Sequence, residues 1–204
     1  MKIKFLALCL LSLLLFTSCE RKKVRSAVEK TMSEIVRDKK SLKIDKIIIK
    51  KDTVPLFFNT KISGPLNDFM EATKELKSYE GMSYLWDDER ERARFKQQAS
   101  VFVVKHAIKS AKPEVQFIAC AEISANNAFG ATVSNRYIFV VDKDTKEVLA
   151  YSDVDDDFML KAFALYYAQT GNDIEQDKYG NYKIDKMSFG MQCVFAKSLD
   201  DIKE

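Results

Sequence analysis

Val115-Gln116-Phe117-Ile118-Ala119-Cys120-Ala121-Glu122-Ile123 alternates with a period of two: Val115, Phe117, Ala119, Ala121 and Ile123 share one face, and Gln116, Ile118, Cys120 and Glu122 the other. That period is the pleat of a β-strand, whose successive side chains point to opposite sides. Asn126-Asn127-Ala128-Phe129-Gly130 follows. It has the composition of a turn, since Asn and Gly accept the positive φ that a tight reversal demands. Val133 to Val141 forms the returning strand, Asp142-Lys143-Asp144-Thr145-Lys146 turns again, and Glu147 to Ser152 forms a third strand. Links this short join antiparallel neighbours, because a parallel crossover takes a dozen residues or more. The stretch predicts an antiparallel meander and disfavours a doubly wound parallel sheet.

Helical periods flank the meander on both sides. Val24, Val28, Met32 and Ile35 recur with charges between them, predicting an amphipathic helix over 22–38. Asp38-Lys39-Lys40-Ser41 is the turn after it, and the isoleucine-rich Leu42 to Lys51 reads as a strand. Thr53 to Gly64, with Pro55 and Asn59, reads as an extended connector. Pro65 suits the first turn of a second helix, where its missing N–H needs no partner; Leu66, Phe69, Met70, Thr73 and Leu76 give that helix its apolar face, and Gly81 ends it. A third helix starts at Asp87-Asp88, carries the stripe Phe95, Ala99, Phe102, Val103 and His106, and is closed by Pro113. Beyond the meander, Asp155 to Asp157 cap an apolar helix, Phe158 to Thr170, with Gly171 as its C′ residue. A turn at Tyr179-Gly180-Asn181 and a last strand, Met187 to Lys197, complete the chain. The expected class is α+β: an antiparallel meander with about four helices packed mainly on one face.

The N-terminus carries an address. Lys2 and Lys4 precede an apolar run, Phe5 to Phe16, too short to span a bilayer, which takes about 20 apolar residues. Phe16-Thr17-Ser18-Cys19 then resembles the lipobox of bacterial lipoproteins, in which a large apolar residue and two small ones precede a modified cysteine. The resemblance implies a diacylglyceryl group on the Cys19 thiol, cleavage after Ser18, and acylation of the new amino terminus. Two or three acyl chains meet the requirement for stable anchoring, at about 0.8 kcal/mol per buried CH₂. An ordinary secretory signal prefers small residues at both −1 and −3, and Phe16 would stand at −3. The expected organisation is a signal peptide over 1–18, a lipidated tether over 19–25 and one globular domain over 26–204.

The whole chain has a formal charge of +3, yet Arg21 to Lys51 holds twelve Lys or Arg against four Asp or Glu. Such a run next to an anchor suits either anionic lipid or a solvated helix face. Nucleic acid is a poor partner, because the basic run lacks interleaved aromatics. Glu20 is followed by Arg21-Lys22-Lys23 rather than by the acidic run of surface-exported lipoproteins in some Gram-negative groups, so a periplasm-facing site is expected. Of four cysteines, Cys9 leaves with the signal and Cys19 takes the lipid. Cys120 and Cys193, both in strand-like segments, could pair in an oxidising envelope or stay as two buried thiols.

Chemistry is sparsely marked. His106 is the only histidine, which excludes multi-histidine metal sites. No G-x-S-x-G elbow, P-loop or dinucleotide fingerprint is present among six glycines, and no cofactor is expected. Asp142-x-Asp144-x-Lys146-Glu147 begins like a calcium loop, but Lys146 replaces a ligand and Glu147 the turn glycine, so no metal site is expected. Asp153 and Asp155 to Asp157 read as a helix start.

Asn126-Asn127-Ala128-Phe129-Gly130, taken with Asp38-Lys39-Lys40-Ser41-Leu42-Lys43-Ile44, resembles small exported bacterial proteins of unknown function. Those carry a helix, a D-P-x-S-x-K-F-like turn and a strand ending in N-x-x-N-x-F-G-G; here lysines stand in place of the proline, and Ala131 in place of the second glycine. The resemblance implies a fold and no activity. Asn126, Asn127, Phe129 and Gly130 are the candidate functional loop, against a purely structural turn with Phe129 folded back over the core. The expectation is a non-catalytic envelope lipoprotein, held to the membrane through Cys19 and binding a partner protein or envelope component. Two rivals remain: an anchored hydrolase pairing His106 with Glu122, and a carrier of a small apolar ligand in a cavity of about 300 Å³ lined by Phe158 to Tyr167.

Overall fold

A computed structural model of the chain describes residues 2–79 and 87–202, their side chains from residue 18 onward. The side chains of the signal segment, and Gly81 as the end of the second helix, lie outside the described residues. The fold is α+β: helices α1 (Lys2–Ile35), α2 (Thr60–Ser78), α3 (Asp87–Ser110), α4 (Asp156–Thr170) and α5 (Phe189–Phe195), with strands β1 (Lys43–Thr53), β2 (Val115–Asn126), β3 (Thr132–Val141) and β4 (Val148–Asp153). The sheet is an antiparallel meander in the order β1-β2-β3-β4. The described residues gather into two compact units, one built from the chain up to Asp52 and Val115–Asp153, the other from the described residues of 53–114 and 154–202.

The first unit is α1 and the sheet. Register along β2 and β3 pairs Phe117 with Val141, Cys120 with Ile138 and Asn126 with Thr132, and a bulge between Val140 and Val141 interrupts the β3–β4 ladder. Val24, Val28 and Met32 of α1 pack on Phe117, Ala119, Ala121, Ile123, Phe139 and Val141, the alternation that the period of two specifies. Ile35 is 48 % exposed, because spacing by four from Met32 lands on Val36, which joins the core instead. On the opposite face Ile118, Cys120, Ile138 and Val140 are also buried. Residues 19–25, expected as a lipidated tether, are helical; Val24 is fully buried, and Arg25 pairs with Glu29 at 3.0 Å.

The second unit is helical. Asn59 Oδ1 accepts from the Lys61 N–H at 3.0 Å, so α2 starts five residues before Pro65, which sits inside the helix rather than in its first turn. The expected extended connector thus holds a 3-10 turn, Leu56–Phe58, and the first turn of α2. In α4, Asp155 caps the Phe158 N–H at 2.8 Å, and Gly171 closes the helix at φ 75°. Met187 to Lys197 is not a strand: Phe189–Phe195 is a buried helix. A short unbroken apolar run is ambiguous between the two by periodicity alone. Gly190 of this helix lies against Pro55, where a Cβ would come within 2.2 Å of the proline ring.

Candidate functional site

The hairpin between β2 and β3 is built from its own side chains. Asn127 Oδ1 accepts from the N–H groups of Phe129 at 2.9 Å and Ala131 at 3.1 Å; the Asn127 N–H donates to Ala131 O at 2.8 Å, and Gly130 takes φ 78°. This is a turn that opens on an Asx residue and closes on a left-handed glycine, and it points its third residue outward. Phe129 is accordingly 94 % exposed, where a structural role would have folded it onto the core. The same arrangement recurs in the helical unit. Asp177 Oδ1 accepts from Tyr179 and Asn181, Gly180 lies at φ 80°, and Tyr179 is 76 % exposed.

The base of the hairpin is tied to the start of β1. Ser41 Oγ accepts from the Asn126 N–H at 2.8 Å and donates to Asp38 O at 2.8 Å, so the two segments singled out in the sequence meet across 85 residues. Beside this junction a cavity of about 240 Å³ is lined by Met32, Val36, Arg37, Asn126, Asn127 and Tyr137, among others.

The other end of the same unit holds Cys19, which is exposed on α1. Its neighbour Glu20 pairs with Lys146 Nζ at 3.2 Å, in the β3–β4 turn. Lys146 is only 14 % exposed, lies 4.6 Å from the Phe117 ring centroid, and donates to Lys143 O, a set of contacts that holds it at φ 63°. The turn itself is pinned by Asp142 Oδ1, which accepts from Asp144 and Thr145 at 2.8 and 2.7 Å. The backbone N–H of Thr145, then that of Asp144, hold the Asp142 carboxyl below its ordinary 3.8, and Asp177 is lowered in the same way by Asn181. Because β3 runs from one turn to the other, Cys19 and Phe129 stand at opposite ends of the sheet unit. Ten residues at about 3.4 Å each put roughly 30 Å between those ends.

Other sequence candidates are dispersed. His106 is exposed, as are Phe95 (64 %), Phe102 (73 %) and Val103 (51 %), so the expected core stripe of α3 faces outward. The buried positions are Ala93 and Val104, about 200° around the helix from Phe95. Their small side chains let α3 lie close on α2, and the bulkier stripe is left outside. Glu122, the proposed partner of His106, is engaged by Arg136 at 3.5 Å and lies in the other unit. Cys120 and Cys193 are both fully buried, and Cys193 lies on α5, not on a strand. Among the described residues, no three His, Cys, Asp or Glu side chains are grouped to hold a metal, and no helix is long and apolar enough to cross a membrane.

What these features define is an α+β module whose sheet unit has an exposed aromatic at one end and an exposed cysteine at the other. No protein-family model, curated protein or solved structure matches the chain. Glu20, Ser41 and Lys146 were not singled out in the sequence for these roles, since a bridge spanning 126 residues leaves no local signature.

Proposed function

We propose that the chain is an exported envelope lipoprotein, held to the membrane by acyl chains on Cys19, whose sheet unit is a non-catalytic binding module facing the periplasm. Its partner is a protein or other envelope component that takes the Phe129 hairpin. The observation that carries this reading is the polarity of the sheet unit: Glu20 is fastened to Lys146 at the Cys19 end, and the exposed Phe129 stands at the other. An anchor at the first site presents the second to whatever lies away from the bilayer. Exposed aromatics on rigid turns make strong contact points, because little conformational entropy is lost when they are buried.

Three measurements in cells test it. Wild type should fractionate with membranes and carry a lipid mass on Cys19, whereas Cys19→Ala should appear in the soluble envelope fraction. Protease added to intact cells should leave the domain uncut, and cleavage would contradict the inward-facing site. A photocrosslinking side chain at position 129 should give one discrete adduct that the same group at Tyr151 does not. An unmodified Cys19 sulfur refutes the anchor, and identical crosslinking at both positions refutes the tip. Hydrolysis has less support, since His106 is exposed on α3 and Glu122 is held by Arg136.

A further inference from the structure

The helical unit holds an open cavity of about 320 Å³ between α2 and α4, with Gln97 of α3 on its wall. Its body is apolar: Phe69, Met70, Leu160, Phe163 and Tyr167, the rings of Phe69 and Tyr167 stacked at 6.1 Å. Such a volume lies at the low end of the roughly 300–1,000 Å³ typical of small-molecule sites. Two of its apolar lining residues are exposed, Leu160 at 47 % and Tyr167 at 39 %, so a ligand seated there would take wet hydrophobic surface out of water.

The rim decides the ligand's charge. Lys74 and Lys77 border the cavity, but Lys74 is paired with Glu71 at 3.0 Å and Asp173 sits on the same rim. Lys77 occupies the last turn of α2, where its charge answers the negative end of the helix dipole. The cations are thus offset, and neither a carboxylate nor an ammonium would find a net field. One polar feature remains on the wall. Gln97 Nε2 donates to Thr73 Oγ1 at 3.2 Å, and Thr73 in turn donates to Phe69 O at 2.8 Å. That chain engages the Gln97 amide nitrogen, and the carbonyl oxygen of the same lining amide is the group that would accept from one donor on a ligand.

We infer that this cavity is a binding site for a neutral, largely apolar molecule ending in a single hydroxyl or N–H donor, the chemistry of a medium-chain alcohol. The site is distinct from the Phe129 tip and does not depend on it. The probe is a diazirine derivative of 1-octanol, applied to the full chain in nanodiscs, with labelled peptides located by mass spectrometry. Labelling should concentrate on Phe69 to Lys77 and Leu160 to Tyr167, and unlabelled 1-octanol should abolish it. Octanoate and octylamine should compete at least fivefold less well. Ala164→Trp, which fills the cavity from its wall, should cut labelling tenfold. Leu160→Arg, at an exposed lip where folding is not at stake, should do the same. Labelling that is scattered, or that survives Leu160→Arg, overturns the site; equal competition by octanoate or octylamine overturns the ligand class.

Discussion

Phe129 stands in water because of its place in the turn, two residues after Asn127 and one before a left-handed Gly130. Replacing it should therefore cost the fold almost nothing: Phe129→Ser is expected to stay within about 0.5 kcal/mol of wild type, the range of surface substitutions. Gly130→Val places a β-branched residue at positive φ and should cost about 1–2 kcal/mol. Urea unfolding of the two variants side by side measures this, and a larger loss for Phe129→Ser would mean the ring is packed. Asp142 and Asp177 act at the same scale. Both carboxyls are lowered from 3.8 by the N–H groups they accept from, so the ionised forms favour the folded state. A depressed carboxyl contributes stability above its unfolded value and loses it as pH falls through the folded one. The urea midpoint should thus drop below about pH 4, and the drop should be shallower in Asp142→Asn and Asp177→Asn, which keep an acceptor oxygen without the titration.

At the scale of the element, legibility depended on whether one face of the period had one place to go. The strands β2 to β4 were readable because alternation with short links admits one arrangement. In α1 the stripe was readable through Met32 and failed by one residue at its end, where Val36 rather than Ile35 takes the core position. Met32→Ala should cost about 2–5 kcal/mol and Ile35→Ala under about 0.5, a contrast that chemical denaturation resolves directly. In α3 two stripes competed, and the aromatic one, heavier by any hydrophobicity count, lost to Ala93 and Val104. A helix that packs closely on a neighbour favours small residues at the contact. The sequence does not say which neighbour will be close. In α5 the short, mostly apolar run Phe189–Phe195 is broken only by Gln192, so its period did not separate strand from helix.

For the sheet unit as a whole, the consequence is directional. Cys19 to Ile35 of α1 covers about 24 Å, comparable to the length of β3, so the helix carries the chain from the Cys19 end to the hairpin end. A reporter dye attached through Phe129→Cys in lipid-anchored protein should be quenched weakly by brominated lipids, and one attached through Asp144→Cys strongly. Equal quenching at both positions would mean that the sheet unit lies flat on the bilayer. In the lipoprotein proposed above, an exposed Cys19 on a helix already bonded into the domain would leave little slack between lipid and protein. Its orientation on the bilayer would then be set by folding rather than by a linker.

Local chemistry was enough to determine the meander, the caps of α4, the turn at Gly130 and the resemblance at Cys19, because each depends on residues within a few positions of one another. Tertiary structure alone decided which stripe of α3 is wet, that Phe189–Phe195 coils into a helix, and that Ser41 and Asn126, or Glu20 and Lys146, are partners. The physical reason is range. Backbone preference and hydrophobic period act along a few residues of chain, whereas burial and pairing are settled by which distant surfaces come within a few ångströms of each other.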